Sequence, residues 1–344
     1  MTPIIKECQA RDLDFQIVHT GQHYSYDMDK VFFSELRLPE ADHHLDVGSG
    51  THGEQTARIL ERTEAVFQND RPDVVLVQGD TNTVMAASLA ASKLHIPVGH
   101  VEAGLRSFDR RMPEEINRIM ADHISSYLFA PTKQSAKHLH EEGINKGVHI
   151  TGNTIVDAVM SIREMAEQRS ALLGELGLER DGYILVTAHR AENVDDEKRL
   201  NNIVKGVGMV SKNLGLPVVF PMHPRTKKMM QKFGIELDGI QAIEPVGVLD
   251  FIHLEDHAAL VMTDSGGVQE ETCILGTPCL TMRNNTERPE TVDVGSNVLV
   301  GNSPERMARM ASIMVNSGRH WKNPFGDGDA AVKILDILQD GLSS

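Results

Sequence analysis

Ligands of open α/β sheets bind outside the carboxyl ends of the strands, so polar side chains that follow short apolar runs are the first candidates for chemistry. Val77-Gln78-Gly79-Asp80-Thr81 places Asp80 at such an end, where its carboxylate either caps the next helix or faces a ligand. His100-Val101-Glu102-Ala103-Gly104-Leu105-Arg106 places Glu102 likewise, and because Ala-Gly follows, capping explains it less well. Pro113-Glu114-Glu115 opens a helix-period stretch in which the two acids complement the helix dipole. His189-Arg190 follows Leu185-Val186-Thr187-Ala188. A histidine near its neutral pKa can pass a proton, and an arginine beside it can hold a phosphate or carboxylate.

Leu260-Val261-Met262-Thr263-Asp264-Ser265-Gly266-Gly267 runs from an apolar strand through a small-residue turn into a helix pattern. Its glycines let a ligand approach the backbone, and the unpaired amides of a helix N-terminus suit a phosphate. The competing reading is a tight turn capped by Ser265. Glu271, within the first turns, either favours the dipole or accepts ribose hydroxyls. Arg283 and Thr286-Glu287-Arg288-Pro289-Glu290 follow the next strand, so Arg288 either faces the same diphosphate or forms a surface salt bridge. His223 is a weaker candidate, and His43-His44 reads as surface loop.

The elements that must position these groups alternate between β-branched runs and helix-period stretches, the mark of a parallel α/β architecture. Strands are expected at Phe15–Thr20, Val74–Gln78, Val98–Glu102, Tyr127–Ala130 and Val148–Thr151, then at Tyr183–Thr187, Val218–Pro221, Ile240–Ile243, Leu260–Thr263, Cys279–Met282 and Val298–Val300. Helices are expected over Thr81–Leu94, Pro113–His123 and Ala330–Leu338. A long helical pattern from Gly152 to about Gly182 joins the two strand series. Two Rossmann-like domains follow, at residues 1–160 and 161–325, with a C-terminal helix in 326–344 expected to pack back on the first. A cleft between the domains would collect the strand-end groups of both. Residues 2–10 read as a helix with Thr2 as cap, Pro3 at its first position, and Ile4, Ile5 and Cys8 on one face. A doubly wound domain should open instead with its central strand, so the chain is expected to begin late.

With 34 Lys plus Arg against 49 Asp plus Glu, the net charge is −15, which repels nucleic acid and anionic membranes. No apolar run approaches the ~20 residues needed to cross a bilayer, and the N-terminus has no signal-peptide pattern. Cys8, Cys273 and Cys279 lack metal-ligand spacing and read as reduced, buried side chains, consistent with a cytoplasmic enzyme.

Taken together the segments resemble the non-hydrolysing UDP-N-acetylglucosamine 2-epimerases, from about Thr2 to the C-terminal helix. Gly21-Gln22-His23, Gln78-Gly79-Asp80-Thr81, Val101-Glu102-Ala103-Gly104-Leu105-Arg106, Pro113-Glu114-Glu115-Ile116-Asn117-Arg118, Thr187-Ala188-His189-Arg190, Thr263 to Glu271 and Thr286-Glu287-Arg288-Pro289-Glu290 stand in family order. Gln22-His23-Tyr24-Ser25-Tyr26 with Gly48-Ser49-Gly50 is similar to the archaeal-type branch.

The resemblance implies a GT-B-type fold with the active site in the interdomain cleft. It also implies removal of the carbon-2 proton, loss of UDP to give 2-acetamidoglucal, and re-addition with inversion, with no redox cofactor or metal. The acid/base set carries over to Asp80, Glu102, Glu114 and His189. The UDP and substrate contacts carry over to Arg190, Ser265, Gly266, Gly267, Glu271 and Arg288, with Val246 and Phe251 beside uracil. A regulatory UDP-sugar site would involve Gln22, His23 and Arg58. A homodimer, and a product destined for a surface polysaccharide or glycan, are implied as well.

The family opens with a strand and a Gly-Thr-Arg-Pro-Glu loop followed by a lysine, and this chain is expected to lack them. That lack leaves open a non-catalytic UDP-sugar binding protein, and the shared fold leaves open a hydrolysing epimerase and a glycosyltransferase.

Overall fold

The computed structural model describes residues 1–22 and 36–342, in two compact units: residues 1–158 with 325–344, and residues 159–324. Each is a parallel α/β layer structure. The helix Thr154–Arg169 carries the chain from one to the other.

In the first unit the strands are β1 (Val18–His19), β2 (His43–His44), β3 (Val75–Gln78), β4 (Val98–Val101), β5 (Tyr127–Ala130) and β6 (Val148–Ile150). β3 to β6 form a four-stranded sheet in sequence order, and β1 pairs with β2 in a separate two-stranded one. Alternation along β3 divides its side chains between two cores. Val75 and Val77 pack with Phe67, Val84 and Ala87 on one face. Val74 and Leu76 face the other, against Ile4, Cys8, Ile334 and Leu338. That second face is covered by the helices Thr2–Ala10 and Ala330–Leu342, which Arg11 bridges by reaching Glu7 at 2.8 Å and Asp336 at 2.6 Å. The N-terminal helix is capped at Met1, one residue earlier than expected, and it buries Ile4 and Cys8.

The reading of His43-His44 as surface loop is corrected. Both residues pair in parallel with Val18 and His19, a backbone association that brings the following Leu45 and Val47 into a small core with Ile59 and Ala86.

The second unit holds β7 (Ile184–Thr187), β8 (Val218–Pro221), β9 (Ile240–Ile243), β10 (Leu260–Thr263), β11 (Cys279–Thr281) and β12 (Asn297–Leu299). Every strand pair is parallel, and from one edge the order is β9-β8-β7-β10-β11-β12. In the unit's own numbering this is the 3-2-1-4-5-6 order of a dinucleotide-type fold. Both faces are covered. Ile184 and Val186 of β7 join one core with Phe220, Leu260 and Leu280, while Leu185 joins the other with Tyr183, Val219 and Val261. The chain order reverses between β7 and β10, and the carboxyl ends of strands at such a switch point are where open α/β folds bind ligands. The three cysteines are free and buried. Among the described residues no helix is long and apolar enough to cross a membrane.

Candidate functional site

The first unit carries its candidate groups at the carboxyl ends of the neighbouring strands β3 and β4. The capping reading of Asp80 does not hold: the helix Asn82–Lys93 has Thr81 at its N-cap position. The Asp80 carboxylate instead accepts from Arg118 at 2.5 Å, and Asn117 donates to its backbone carbonyl at 2.9 Å. Arg118 also bonds Glu115 at 2.6 Å, so the helix Pro113–Ile124 sets the position of Asp80.

Within the pair at the start of that helix the two acids part company. Glu115 is 1% exposed and accepts from the Ser107 and Phe108 amides, the Ser107 hydroxyl and Arg118. Burial opposes its charge, but these donors outweigh it and hold the carboxyl below the usual range. Glu115 fixes the preceding loop. Glu114 is exposed and makes no hydrogen bond or ion pair among the described residues, which leaves its carboxylate available to a ligand.

Glu102 stands in the left-handed region at φ +72°, a conformation of order 1–3 kcal/mol above the ordinary ones for a residue with a side chain. Backbone bonds on both sides impose it, from Gly79 to the Val101 carbonyl and from Ala103 to the Phe129 carbonyl. Gln78 donates to one Glu102 oxygen at 2.7 Å. The turn is held from behind as well: a β-carbon on Gly104, itself at φ +78°, would stand 2.2 Å from the Ser135 carbonyl oxygen, so the helix Lys133–Glu141 can pack this close only against glycine.

Beneath the turn lies a buried network to which sequence reading gave no role. His100 in β4 contacts Asp122 at 2.6 Å through one ring nitrogen and the Gly79 carbonyl at 2.8 Å through the other. Both partners are acceptors, so the ring carries two protons. Burial disfavours that charge, but Asp122 and the carbonyl raise the pKa above its ordinary value. Arg106 closes the network, at 2.7 Å from both Asp122 and Glu142. An ionisable residue in the middle of the apolar run Val98-Gly99-His100-Val101 was the available signal.

In the second unit the candidates gather at the switch point. Asp264, fully buried, accepts from the amides of His189 at 3.1 Å and Arg190 at 3.0 Å and from the Asn193 amide group at 3.1 Å. His189 Nδ1 stands 3.2 Å from the same carboxylate. Burial would raise the Asp264 pKa; the His189 and Asn193 bonds and the Arg190 amide overcome it and keep the group ionised. One acid thus ties the turn after β7 to the end of β10 and orients the imidazole.

Ser265 occupies the N-cap position of the helix Gly266–Leu275 without a side-chain capping bond, so its hydroxyl and the first amides remain for a ligand. Arg190 is exposed nearby. Arg288 approaches Glu270 at 2.8 Å and remains 30% exposed. Arg283 is less available. It is 8% exposed and paired with Glu192 at 2.8 Å and, through both terminal nitrogens, with Glu287 at 2.8 and 3.0 Å. Val246 and Phe251, half-buried, edge the core formed by Leu185, Val261 and Val268.

Glu271 faces a second carboxyl, the fully buried Glu255, neither of whose oxygens has a hydrogen-bond partner of ordinary geometry. Burial, then the charge of Glu271, raises Glu255 well above its ordinary value. Burial also raises Glu271, to about 7. A folded-state pKa above the unfolded one contributes stability that is present below the unfolded value and lost as pH rises through the folded value. The pair therefore stabilises the fold below about pH 4.5 and progressively less above it. Glu255→Gln, which keeps a donor toward Glu271 without a titrating proton, is expected to raise stability by about 1–3 kcal/mol near pH 8. The gain should shrink toward pH 5. Urea unfolding at the two pH values measures the difference, and a constant gain would show that the proton is not responsible.

Of the regulatory candidates, Gln22 accepts from the Thr83 amide at 3.0 Å and its hydroxyl at 2.6 Å, and Arg58 bonds the Val47 carbonyl at 3.3 Å. His23 lies outside the described residues.

Two parallel α/β units, one with the dinucleotide-type strand order and an open small-residue turn at its switch point, place the chain among the two-Rossmann proteins of GT-B type. The family model for UDP-N-acetylglucosamine 2-epimerase matches residues 6–339, and the chain belongs to that family. It is 51% identical to the UDP-N-acetylglucosamine 2-epimerase of Methanocaldococcus jannaschii, over 99% of this chain and 95% of the relative. It is 43% identical to the UDP-2,3-diacetamido-2,3-dideoxy-D-glucuronate 2-epimerase of Pseudomonas aeruginosa, over 94% and 90%. The crystal structure of the M. jannaschii enzyme in complex with UDP-GlcNAc and UDP superposes with a TM-score of 0.85, covering 99% of this chain and 96% of that one.

Proposed function

We propose that the protein interconverts UDP-N-acetylglucosamine and UDP-N-acetylmannosamine by elimination and re-addition of UDP. A base takes the proton from carbon 2, and that bonding pair forms the carbon 1–carbon 2 double bond. The carbon 1–oxygen bond breaks with its electrons leaving on the diphosphate. The reverse steps deliver a proton to the opposite face and return the diphosphate oxygen to carbon 1.

Such chemistry needs proton donors and acceptors around carbon 2 and positive or dipolar groups on the leaving diphosphate. Asp80, Glu102, Glu114 and His189 are the first set. Arg190, Arg288, Ser265 and the amides of Gly266 and Gly267 are the second, with Glu271 on the ribose and Val246 and Phe251 along the base. A protein of net charge −15 must supply attraction locally to a diphosphate that gains a further negative charge as it departs, and Arg190, Arg288 and the uncapped N-terminus of the helix Gly266–Leu275 are the groups assigned to it.

The observation that carries the reading is Glu102, an acid held in left-handed backbone at a strand end. Strain of that kind persists where surrounding structure over-determines it, and it concentrates at active sites. Action in the cytoplasm as a homodimer belongs to the same reading.

Incubation with UDP-N-acetylglucosamine in heavy water is expected to place deuterium at carbon 2 and to yield UDP-N-acetylmannosamine. Accumulation of free N-acetylmannosamine and UDP would identify the hydrolysing reaction instead. Binding of UDP without any exchange would identify a non-catalytic UDP-sugar binding protein.

A further inference from the structure

We infer that His253, His257 and Glu167 form a binding site for one divalent transition-metal ion, Zn²⁺ foremost, that clamps two helices of the second unit together. His253 and His257 stand four residues apart on the helix Val248–His257, so both rings project from one face. Their centroids lie 4.3 Å apart. Glu167 comes from the last turns of the helix Thr154–Arg169. One of its oxygens is 3.5 Å from His257 Nε2 and 3.9 Å from His253 Nδ1, and the three candidate ligand atoms all lie within 4.8 Å of one another. Metal–ligand bonds of about 2.0–2.1 Å in tetrahedral array set neighbouring donors roughly 3.3 Å apart, so a small closure of the group seats an ion.

The hydrogen bonds point the lone pairs the same way. His257 Nδ1 lies 3.0 Å from the His253 carbonyl, which only accepts, so Nδ1 carries the proton. In the neutral ring Nε2 is then an unprotonated acceptor facing a carboxylate oxygen, an arrangement that requires a positive charge between them.

The two rings are buried while Glu167 is exposed, so an ion has protein on one side and a water-accessible position on the other. A second link between the same helices, Arg163 to Asp256 at 2.9 Å, already holds them in register. Neither the ligands nor the proposed role belongs to the proton chemistry assigned above, and the site stands whether or not that assignment does.

The test uses tag-free full-length protein, stripped with EDTA and titrated with ZnCl₂ by calorimetry near about pH 7.5, where imidazole is neutral. The expected result is one site of micromolar or tighter affinity and a Tm several degrees higher in excess Zn²⁺. Glu167→Gln, at an exposed position with little bearing on folding, is expected to weaken binding at least about tenfold, and His257→Asn to remove it. Co²⁺ in place of Zn²⁺ should show four-coordinate visible absorption that Glu167→Gln alters. A Tm indifferent to Zn²⁺ would overturn the proposal in favour of a simple protonated His257–Glu167 pair. Zn²⁺ binding of unchanged affinity and stoichiometry in both variants would overturn it equally, by placing the ion on other imidazoles.

Discussion

Glu102→Gln is expected to lower deuterium exchange at carbon 2 by at least about a thousandfold, within the range lost with a general acid–base group, while UDP affinity stays within about twofold. The substitution is chosen because it preserves nearly everything else about the position. The amide oxygen can still accept from Gln78, and the flanking bonds from Gly79 and Ala103 still force the left-handed turn. What the amide cannot do is take a proton. The Gly79 side of Glu102 is open, since even a β-carbon there would stand 3.9 Å from its second oxygen. Nuclear magnetic resonance of the sugar in heavy water gives the exchange rate, and calorimetry with UDP gives the affinity. Exchange retained within tenfold of wild type would remove Glu102 from the acid/base set and leave its strained backbone without a catalytic reason.

The strands of the second unit were legible because a parallel sheet covered on both faces is written as continuous β-branched and apolar runs, and the boundaries differ from the expected ones by a residue at most. β2 was not legible, because His43-His44 pairs through its backbone and carries no apolar alternation. The stretch from Gly152 to Gly182 read as one helical pattern but breaks after Arg169 into a second short helix, Leu172–Leu176.

At the candidate site, sequence located the strand-end groups but could not apportion their partners. Whether Asp80 caps a helix or meets a cation depends on where Arg118 arrives, 38 residues later. Which of two adjacent acids is buried depends on the phase of the helix that bears them, and only packing separates Glu115 from Glu114. His100 and Asp122 are 22 residues apart and become one charged network only once β4 lies under the helix Pro113–Ile124. The glutamate of the metal cluster lies 86 positions before its nearer histidine, whereas the two histidines already share a helix face in the sequence.

Asp264 shows the same limit most sharply, because half of its donors are backbone amides that no side-chain pattern reveals, and it carries the second large expected effect. Asp264→Asn should cost about 2–4 kcal/mol of stability and lower turnover by roughly a hundredfold or more. The carboxylate takes bonds from two backbone amides and the Asn193 side chain and faces His189 Nδ1. An asparagine offers one acceptor and sets an amide nitrogen against the remaining donors, so at least one buried N–H loses its partner. The second cost falls on His189. Its Nδ1 loses the acid that fixes both the ring's orientation and the nitrogen that bears the proton, so Nε2 is no longer presented in a defined state.

Urea unfolding measures the first effect and turnover of UDP-N-acetylglucosamine the second. The stability contributed by Asp264 should also disappear from the wild type as pH falls through its depressed folded-state pKa, since a lowered carboxyl stabilises only while ionised. His189→Ala separates the roles: it should reproduce the loss of turnover with little loss of stability, because the backbone amides that grip Asp264 remain. If Asp264→Asn unfolds at the same urea concentration as wild type, the carboxylate does not hold the turn. If turnover survives within tenfold in a folded Asp264→Asn protein, His189 needs no buried acid behind it, and its place among the proton-transfer groups falls to the other three.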